Sequence, residues 1–263
     1  MRPEIKSHQF DAMGTTCSLF AEEGDLLDAE RWVLSMGERL TRFSAESELS
    51  HLNARAGAWC EVSADTEDVL RASLRAYEMS FGLVNAAVLP SMAAIGYTRP
   101  LREGPSVATL ERARPLPPLP EVLEVREDAA RVARGSGIDL GGIAKGWMAD
   151  RLTGILGPNC LVNLGGDLRA RGPGWPVAFA GQTLMLRDQG AATSSVRKRR
   201  WGQLHHLIDP RTGLPARTGL AEVSVVASSG FEGEVVAKTA LLLGPSLAPA
   251  YCATAAMAWW LSE

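Results

Sequence analysis

Apolar residues along this chain recur at two spacings. Thr15 to Ala21 is a short run, β-branched and aromatic in character, which predicts a strand; Leu26, Ala29, Val33, Met36 and Leu40 then repeat three and four residues apart, which predicts an amphipathic helix. A second helix is predicted from Thr66 to Met79. There Leu70, Leu74 and Tyr77 form one stripe and Val69, Ala72 and Ala76 the adjoining one, so most of its surface should be buried. Short apolar runs between glycine-containing loops predict strands at Val122 to Val125, Cys160 to Leu164, Trp175 to Phe179 and Val223 to Ala227. Helical spacing returns at Ile143, Trp147 and Ala149 to Leu156, and again in a stretch running to Leu243. Helices and strands interleave without a repeat, so the fold class is mixed α/β or α+β.

Composition narrows the picture. Of 263 residues, 46% are hydrophobic and 22% charged, the balance of a packed globular protein, large enough for one domain or two fused lobes. The Pro-rich segment from Arg114 to Pro120 is stiff enough to divide such lobes. With 27 basic against 30 acidic residues the net charge is −3, which leaves no field for holding a nucleic-acid backbone. The apolar stretch Tyr251 to Leu261 is far shorter than a membrane span, and Met1 to Lys6 mixes acid and base with no apolar segment behind it. No membrane insertion and a cytoplasmic location are therefore expected. Cys17, Cys60, Cys160 and Cys252 are scattered without metal-ligand spacing and read as reduced packing residues.

Five clusters carry possible chemistry. Ile138 to Asp150 runs an apolar strand end into Gly141-Gly142 and then a helix, an elbow whose free N–H groups suit a phosphate, with Lys145 adding a point charge. A plain tight turn accounts for the same spacing. His205 and His206, beside the turn Asp209-Pro210-Arg211-Thr212-Gly213, are placed for proton transfer or for orienting a phosphate, or are ordinary solvated histidines on a surface turn. Asn163-Leu164-Gly165-Gly166-Asp167 is a second paired-glycine strand end. Ala191-Ala192-Thr193-Ser194-Ser195, followed by Arg197 to Arg200, suits an anion or is a solvated charge run. Glu234 and Lys238 sit at i and i+4, the usual spacing of a solvent-facing ion pair.

Taken in order, these clusters, together with Met13-Gly14-Thr15, Phe43, Ser47-Glu48-Leu49-Ser50 and Leu52-Asn53, resemble the FAD:protein FMN transferase family, the ApbE-type flavin transferases. The resemblance extends from near residue 10 to about residue 244. It implies a single flavin-transferase domain over 1–263, of α/β type, with FAD in a cleft between two lobes and a divalent metal, usually magnesium, near the pyrophosphate. It further implies that FMN passes from FAD to a Ser or Thr hydroxyl of an acceptor protein, with release of AMP. By resemblance Met13 and Phe43 would pack on the cofactor, Ile95, Gly96 and Tyr97 would line it, Asp139 and Lys145 would contact it, and Ile208 would lie against it. The Gly142 carbonyl and Glu234 would face the metal, and His206 with Asp209 would handle the proton.

The chain departs from the family pattern at three points. Lys238 stands at the position of a usual threonine metal ligand, and a charged ammonium has no lone pair for magnesium. Its ammonium is accordingly expected to pair with Glu234 and occupy part of the metal position. Val84-Asn85-Ala86 replaces the usual Phe-Asp-Pro, and the export signal common in the family is not seen. Two other readings remain: an FAD pyrophosphatase yielding FMN and AMP, and a flavin-binding protein without catalysis.

Overall fold

The computed structural model describes residues 4–263. They form two compact units, one built from residues up to 37 with 144–194 and 222–263, the other from 38–143 with 195–221.

The first unit is organised on a seven-stranded sheet: Lys6–Ala12 (β1), Thr15–Ala21 (β2), Cys160–Leu164 (β3), Asp167–Arg171 (β4), Gly190–Ser195 (β5), Glu222–Ala227 (β6) and Ala258–Ser262 (β7). Spatial order equals chain order, β1 through β7. The second unit is made of the two stretches that leave this sheet, one between β2 and β3 and one between β5 and β6. Cys17, Leu19 and Ala21 of β2 face Leu164, Val162 and Cys160 of β3 and are fully buried, which fixes the register because a slip of one residue would send all three to the opposite face. Met13 and Gly14, with φ of 52° and 71°, make the two-residue turn between β1 and β2, where Ala12 pairs with Thr15. The Thr15 side chain lies where a Cβ on Gly165 would stand, 2.3 Å from its Oγ1, so only glycine fits the start of the β3–β4 turn. Two sequence clusters some 150 positions apart thus meet at one sheet corner.

Helices cover the sheet within this unit. Leu26–Leu40 (α1), of which residues 26–37 belong to this unit, matches the predicted helix, with Ala29, Val33 and Met36 buried. Ala144–Leu156 (α4; Glu48–Ala54, α2, and Ala64–Met79, α3, belong to the other unit) packs with Gly230–Leu243 (α5). The Asp150 carboxylate of α4 caps the N-terminus of α5, its oxygens accepting from the N–H groups of Gly230 at 2.8 Å and Phe231 at 2.9 Å. Burial nonetheless pushes the Asp150 carboxyl above its ordinary pKa. All four cysteines are buried and free, and burial raises the Cys17, Cys160 and Cys252 thiols to about 11, which makes them inert packing groups.

The second unit holds Glu48–Ala54 (α2) and Ala64–Met79 (α3). Ser47 caps α2, accepting from Ser50 N–H at 3.0 Å, while Leu49 and Leu52 are buried. Glu48 reaches the start of α3, accepting from the hydroxyls of Ser63 at 2.9 Å and Thr66 at 2.7 Å. Ile138 to Leu140, read from sequence as a strand end, is not a strand. Its partners are mixed: Asn53 Nδ2 donates to the Ile138 carbonyl at 2.9 Å and Asn53 Oδ1 accepts from Ile138 N–H at 2.8 Å, while Asp139 N–H donates to the Ala86 carbonyl at 2.8 Å. The predicted strand at Val122 to Val125 is likewise displaced, since Leu119–Val122 forms a helical turn and the strand runs Leu123–Arg126.

The Pro-rich segment lies inside this unit and is anchored there. Leu116 N–H donates to the Pro210 carbonyl at 2.8 Å, and the buried Asn85 amide donates to the Pro117 carbonyl at 2.9 Å while its Oδ1 accepts from Ala87 N–H at 2.9 Å. Asn85 therefore does what an aspartate cannot, because the Pro117 carbonyl demands a donor. His205, in the same unit, is buried, with Nε2 3.0 Å from the Ala216 carbonyl, and desolvation holds its pKa below the ordinary 6.5.

Two outcomes follow from these contacts. Asn85→Asp turns a satisfied donor into a buried carboxylate facing a carbonyl oxygen, and urea denaturation at pH 7 is expected to register a loss of about 1–3 kcal/mol. His205 is neutral when folded and basic when unfolded, so the unfolded chain binds the extra proton below pH 6.5 and stability falls as the pH is lowered through that value. In melts between pH 7.5 and 5.5, His205→Gln is expected to lose part of that slope.

Candidate active site

The residues singled out from sequence divide between the units. Met13, Lys145 and Glu234 belong to the first; Phe43, Ile95, Gly96, Tyr97, Asp139, Gly142, His206, Ile208 and Asp209 belong to the second.

In the first unit an ionic cluster joins α4, α5 and β4. Lys145, in the first turn of α4, donates from Nζ to Asp167 Oδ2 on β4. The same ammonium lies 3.8 Å from Glu234 Oε1 on α5, and Lys238 Nζ lies 3.9 Å from that same oxygen. Glu234 Oε2 accepts from the Gly146 N–H at 2.9 Å. Gly146 has no alternative, because a Cβ there would stand 2.6 Å from the Gly230 carbonyl oxygen. The Glu234 side chain is 6% exposed and that of Lys238 13%, so this i,i+4 pair is buried rather than solvent-facing. What reverses the surface expectation is Lys145, which arrives from another helix and makes the carboxylate worth burying. Asp167 had no assigned role in the sequence, yet it is the partner that fixes Lys145.

A hard divalent cation needs several oxygen donors and no competing positive charge. Here both Glu234 oxygens are engaged, two ammonium groups flank Oε1, and the Asp167 oxygen is bound to Lys145. At about 4 Å and an effective dielectric of 20, each unit-charge repulsion amounts to about 4 kcal/mol. Among the described residues no group of three or more His, Cys, Asp or Glu converges on a point. The donor set around Glu234 does not suit magnesium.

The second unit carries an aromatic and cationic cluster. The rings of Phe43 and Tyr97 are 5.5 Å apart, and Tyr97 is 5.3 Å from Trp201. Trp201 is held by its indole N–H, 3.2 Å from the Ile95 carbonyl. Ile95 and Ile208 pack in one buried cluster with Met92, against which Tyr97 and Trp201 lean. Gly96 has φ of 79°, and a Cβ on it would be 2.2 Å from the Ser106 carbonyl oxygen, so this loop closes only on glycine. Asp139 accepts from Gly141 N–H at 2.8 Å through Oδ1 and from the Arg42 guanidinium through Oδ2. Asp209 is gripped by Arg211, with contacts of 2.8 and 2.7 Å to its two oxygens, and its backbone carbonyl closes the turn to Gly213 at 2.8 Å. That pairing raises the Arg211 pKa further. His206 is half-buried beside this turn.

Arg42 and Trp201 were not among the candidates. Arg42 adjoins Phe43 in sequence, but nothing in the local spacing tells that it pairs with a carboxylate 97 positions away. Thr193, read as a hydroxyl beside a bound anion, hydrogen-bonds Ser224 at 2.8 Å within the sheet.

Comparison with known proteins places this geometry in context. Residues 13–259 match the ApbE family. A protein of Haemophilus influenzae called FAD:protein FMN transferase is 23% identical over 88% of this chain and 79% of its own length. One of the same name from Klebsiella pneumoniae is 33% identical, over 42% of this chain and only 39% of that protein. The crystal structure of the ApbE protein of Thermotoga maritima superposes with a TM-score of 0.86 at 21% identity, covering 99% of this chain and 97% of that one. The apo flavinyl transferase ApbE of Pseudomonas stutzeri gives 0.81 at 20% identity, covering 99% and 93%. The fold expected from sequence is therefore the fold found, and this chain belongs to the ApbE family.

Proposed function

We propose that this protein is an FAD:protein FMN transferase, moving FMN from FAD to a Ser or Thr hydroxyl of a separate protein. The observation that carries the reading is the family match over nearly the whole chain, joined to a relative of that name aligned over 88% of it. The hydroxyl oxygen bonds to the FMN-side phosphorus, the bond from that phosphorus to the bridging oxygen breaks, and AMP leaves with the bridging oxygen. The hydroxyl proton goes to His206, whose ring lies in the segment fixed by the Asp209–Arg211 turn. Phe43, Tyr97, Ile95, Gly96 and Ile208 supply apolar and aromatic surface for the cofactor, with Met13 as a further apolar contact.

Phosphoryl transfer depends chiefly on positioning and on neutralising oxygen charge. In the family pattern a divalent metal does the neutralising, with Gly142 and Glu234 facing it. For this chain the chemistry around Glu234 favours ammonium groups in that role. Lys145 is the nearer to the glycine elbow in sequence, and Lys238 shares its carboxylate. Magnesium is therefore not required in this reading.

Incubation of the pure protein with FAD and an acceptor carrying an exposed Ser or Thr is expected to give an FMN-mass adduct by mass spectrometry, with AMP in equal amount. Release of FMN and AMP without adduct would identify a pyrophosphatase, and unchanged FAD would sink the enzymatic reading. Excess EDTA should leave the rate within about twofold, whereas Lys238→Thr, which restores an oxygen donor and removes a charge, should make the rate magnesium-dependent. His206→Ala is expected to lower kcat by about 10²- to 10⁴-fold while FAD binding, followed by flavin fluorescence, holds.

A further inference from the structure

Arg42 follows α1 by two residues, and its side chain is only 6% exposed. Nε donates to Asp139 Oδ2. The guanidinium carbon lies 4.3 Å from the centre of the Phe43 ring and 4.6 Å from that of Tyr97. These rings stabilise the positive charge through their faces, but they offer nothing to N–H groups that point along the guanidinium plane. Nη2 is fully buried and has no hydrogen-bond partner among the described residues. Asp139 does not supply one with its other oxygen, because Oδ1 takes the Gly141 N–H at 2.8 Å.

Buried charged donors are almost always satisfied, so an exception held this firmly calls for an acceptor from outside the chain. The surroundings limit what that acceptor is. A cationic donor sandwiched among aromatic rings, with an N–H directed along its own plane, suits the edge of a flat heteroaromatic that carries oxygen acceptors in its plane. The isoalloxazine of flavin has two such carbonyl oxygens and leads to a phosphate, whereas adenine carries no oxygen. We infer that Arg42 Nη2 donates a hydrogen bond to an oxygen of the FMN half of FAD, making Arg42 a binding residue that selects the flavin end of the substrate. The inference rests on the FAD reading given above and adds a contact that neither the sequence pattern nor the family resemblance assigned.

Arg42→Lys tests it, since lysine keeps the charge and the partner Asp139 but loses the second arm of the fork. Titrations of wild type and variant with FAD, FMN, riboflavin and AMP, followed by flavin fluorescence or calorimetry, should give a weakening of about tenfold or more for FAD and FMN and less than about twofold for AMP. A loss shared by riboflavin assigns the contact to a ring carbonyl; riboflavin binding unchanged assigns it to the phosphate. FAD affinity within about twofold of wild type, or an equal loss for FAD and AMP, overturns the role of Arg42 while leaving the transferase reading intact. Wild-type protein that binds no FAD overturns both. Should the variant not fold, as judged by circular dichroism, a crystal structure of wild-type protein with FAD decides the matter: Nη2 within about 3.2 Å of a flavin-half oxygen supports the contact, and water or an adenine-half atom there refutes it.

Discussion

The ionic cluster on Glu234 is the constraint on which the first unit depends. One carboxylate takes a backbone N–H from the start of α4 and faces ammonium groups from α4 and α5, while the α4 ammonium reaches on to Asp167 of β4. Removing the Glu234 carboxylate would leave two buried ammonium groups facing each other without it, which costs far more than the intact arrangement contributes, whereas removing Lys238 leaves Glu234 still facing Lys145. The cluster thus acts as a clamp on geometry: two helices and a strand are held together by buried charges that share their partners. It also explains why glycine stands at 146, where the helices approach too closely for any side chain.

The second unit solves a different problem with similar means. The glycine elbow at 141–142 lies outside the strands, and side chains join backbone bonds in holding it: Asn53 takes Ile138, the Asp139 carboxylate takes Gly141 N–H and is itself held by Arg42, and Asp139 N–H donates to the Ala86 carbonyl. The motif from Ser47 to Asn53 is scaffolding in large part, capping one helix, bracing the next through Glu48 and ending on the amide that holds the elbow approach. A family resemblance built on such residues reports the frame of a site as much as its chemistry.

Elements whose evidence is local periodicity were legible in the sequence. The α1 stripe from Leu26 to Leu40 and the β2 and β3 runs have the boundaries their patterns suggest. Illegible were features decided by distant partners. Ile138 to Leu140 has strand composition, yet an asparagine 85 positions away takes both backbone groups of Ile138 and no ladder forms. Glu234 and Lys238 have the spacing of a surface pair; only Gly146, 88 positions earlier, and Lys145 beside it make the site an interior one. Arg42 gave no sign of its burial, because an arginine next to a phenylalanine reads the same on a surface. The ordered set of clusters was still sufficient for the family, since several weak patterns in fixed sequence order are hard to match by accident.

The threading of the chain has a consequence for synthesis. Strands β1 to β7 are neighbours in space in the order they emerge, yet β2 must wait for β3 while residues 38–143 are made, and the second unit is itself incomplete until 195–221 has left the ribosome. Each body is therefore unfinished while the other is being translated, and β2 presents an unpaired edge to solvent or to a chaperone for most of that interval. Nascent chains of this protein should depend on protection of that edge more than a protein of equal size with contiguous domains.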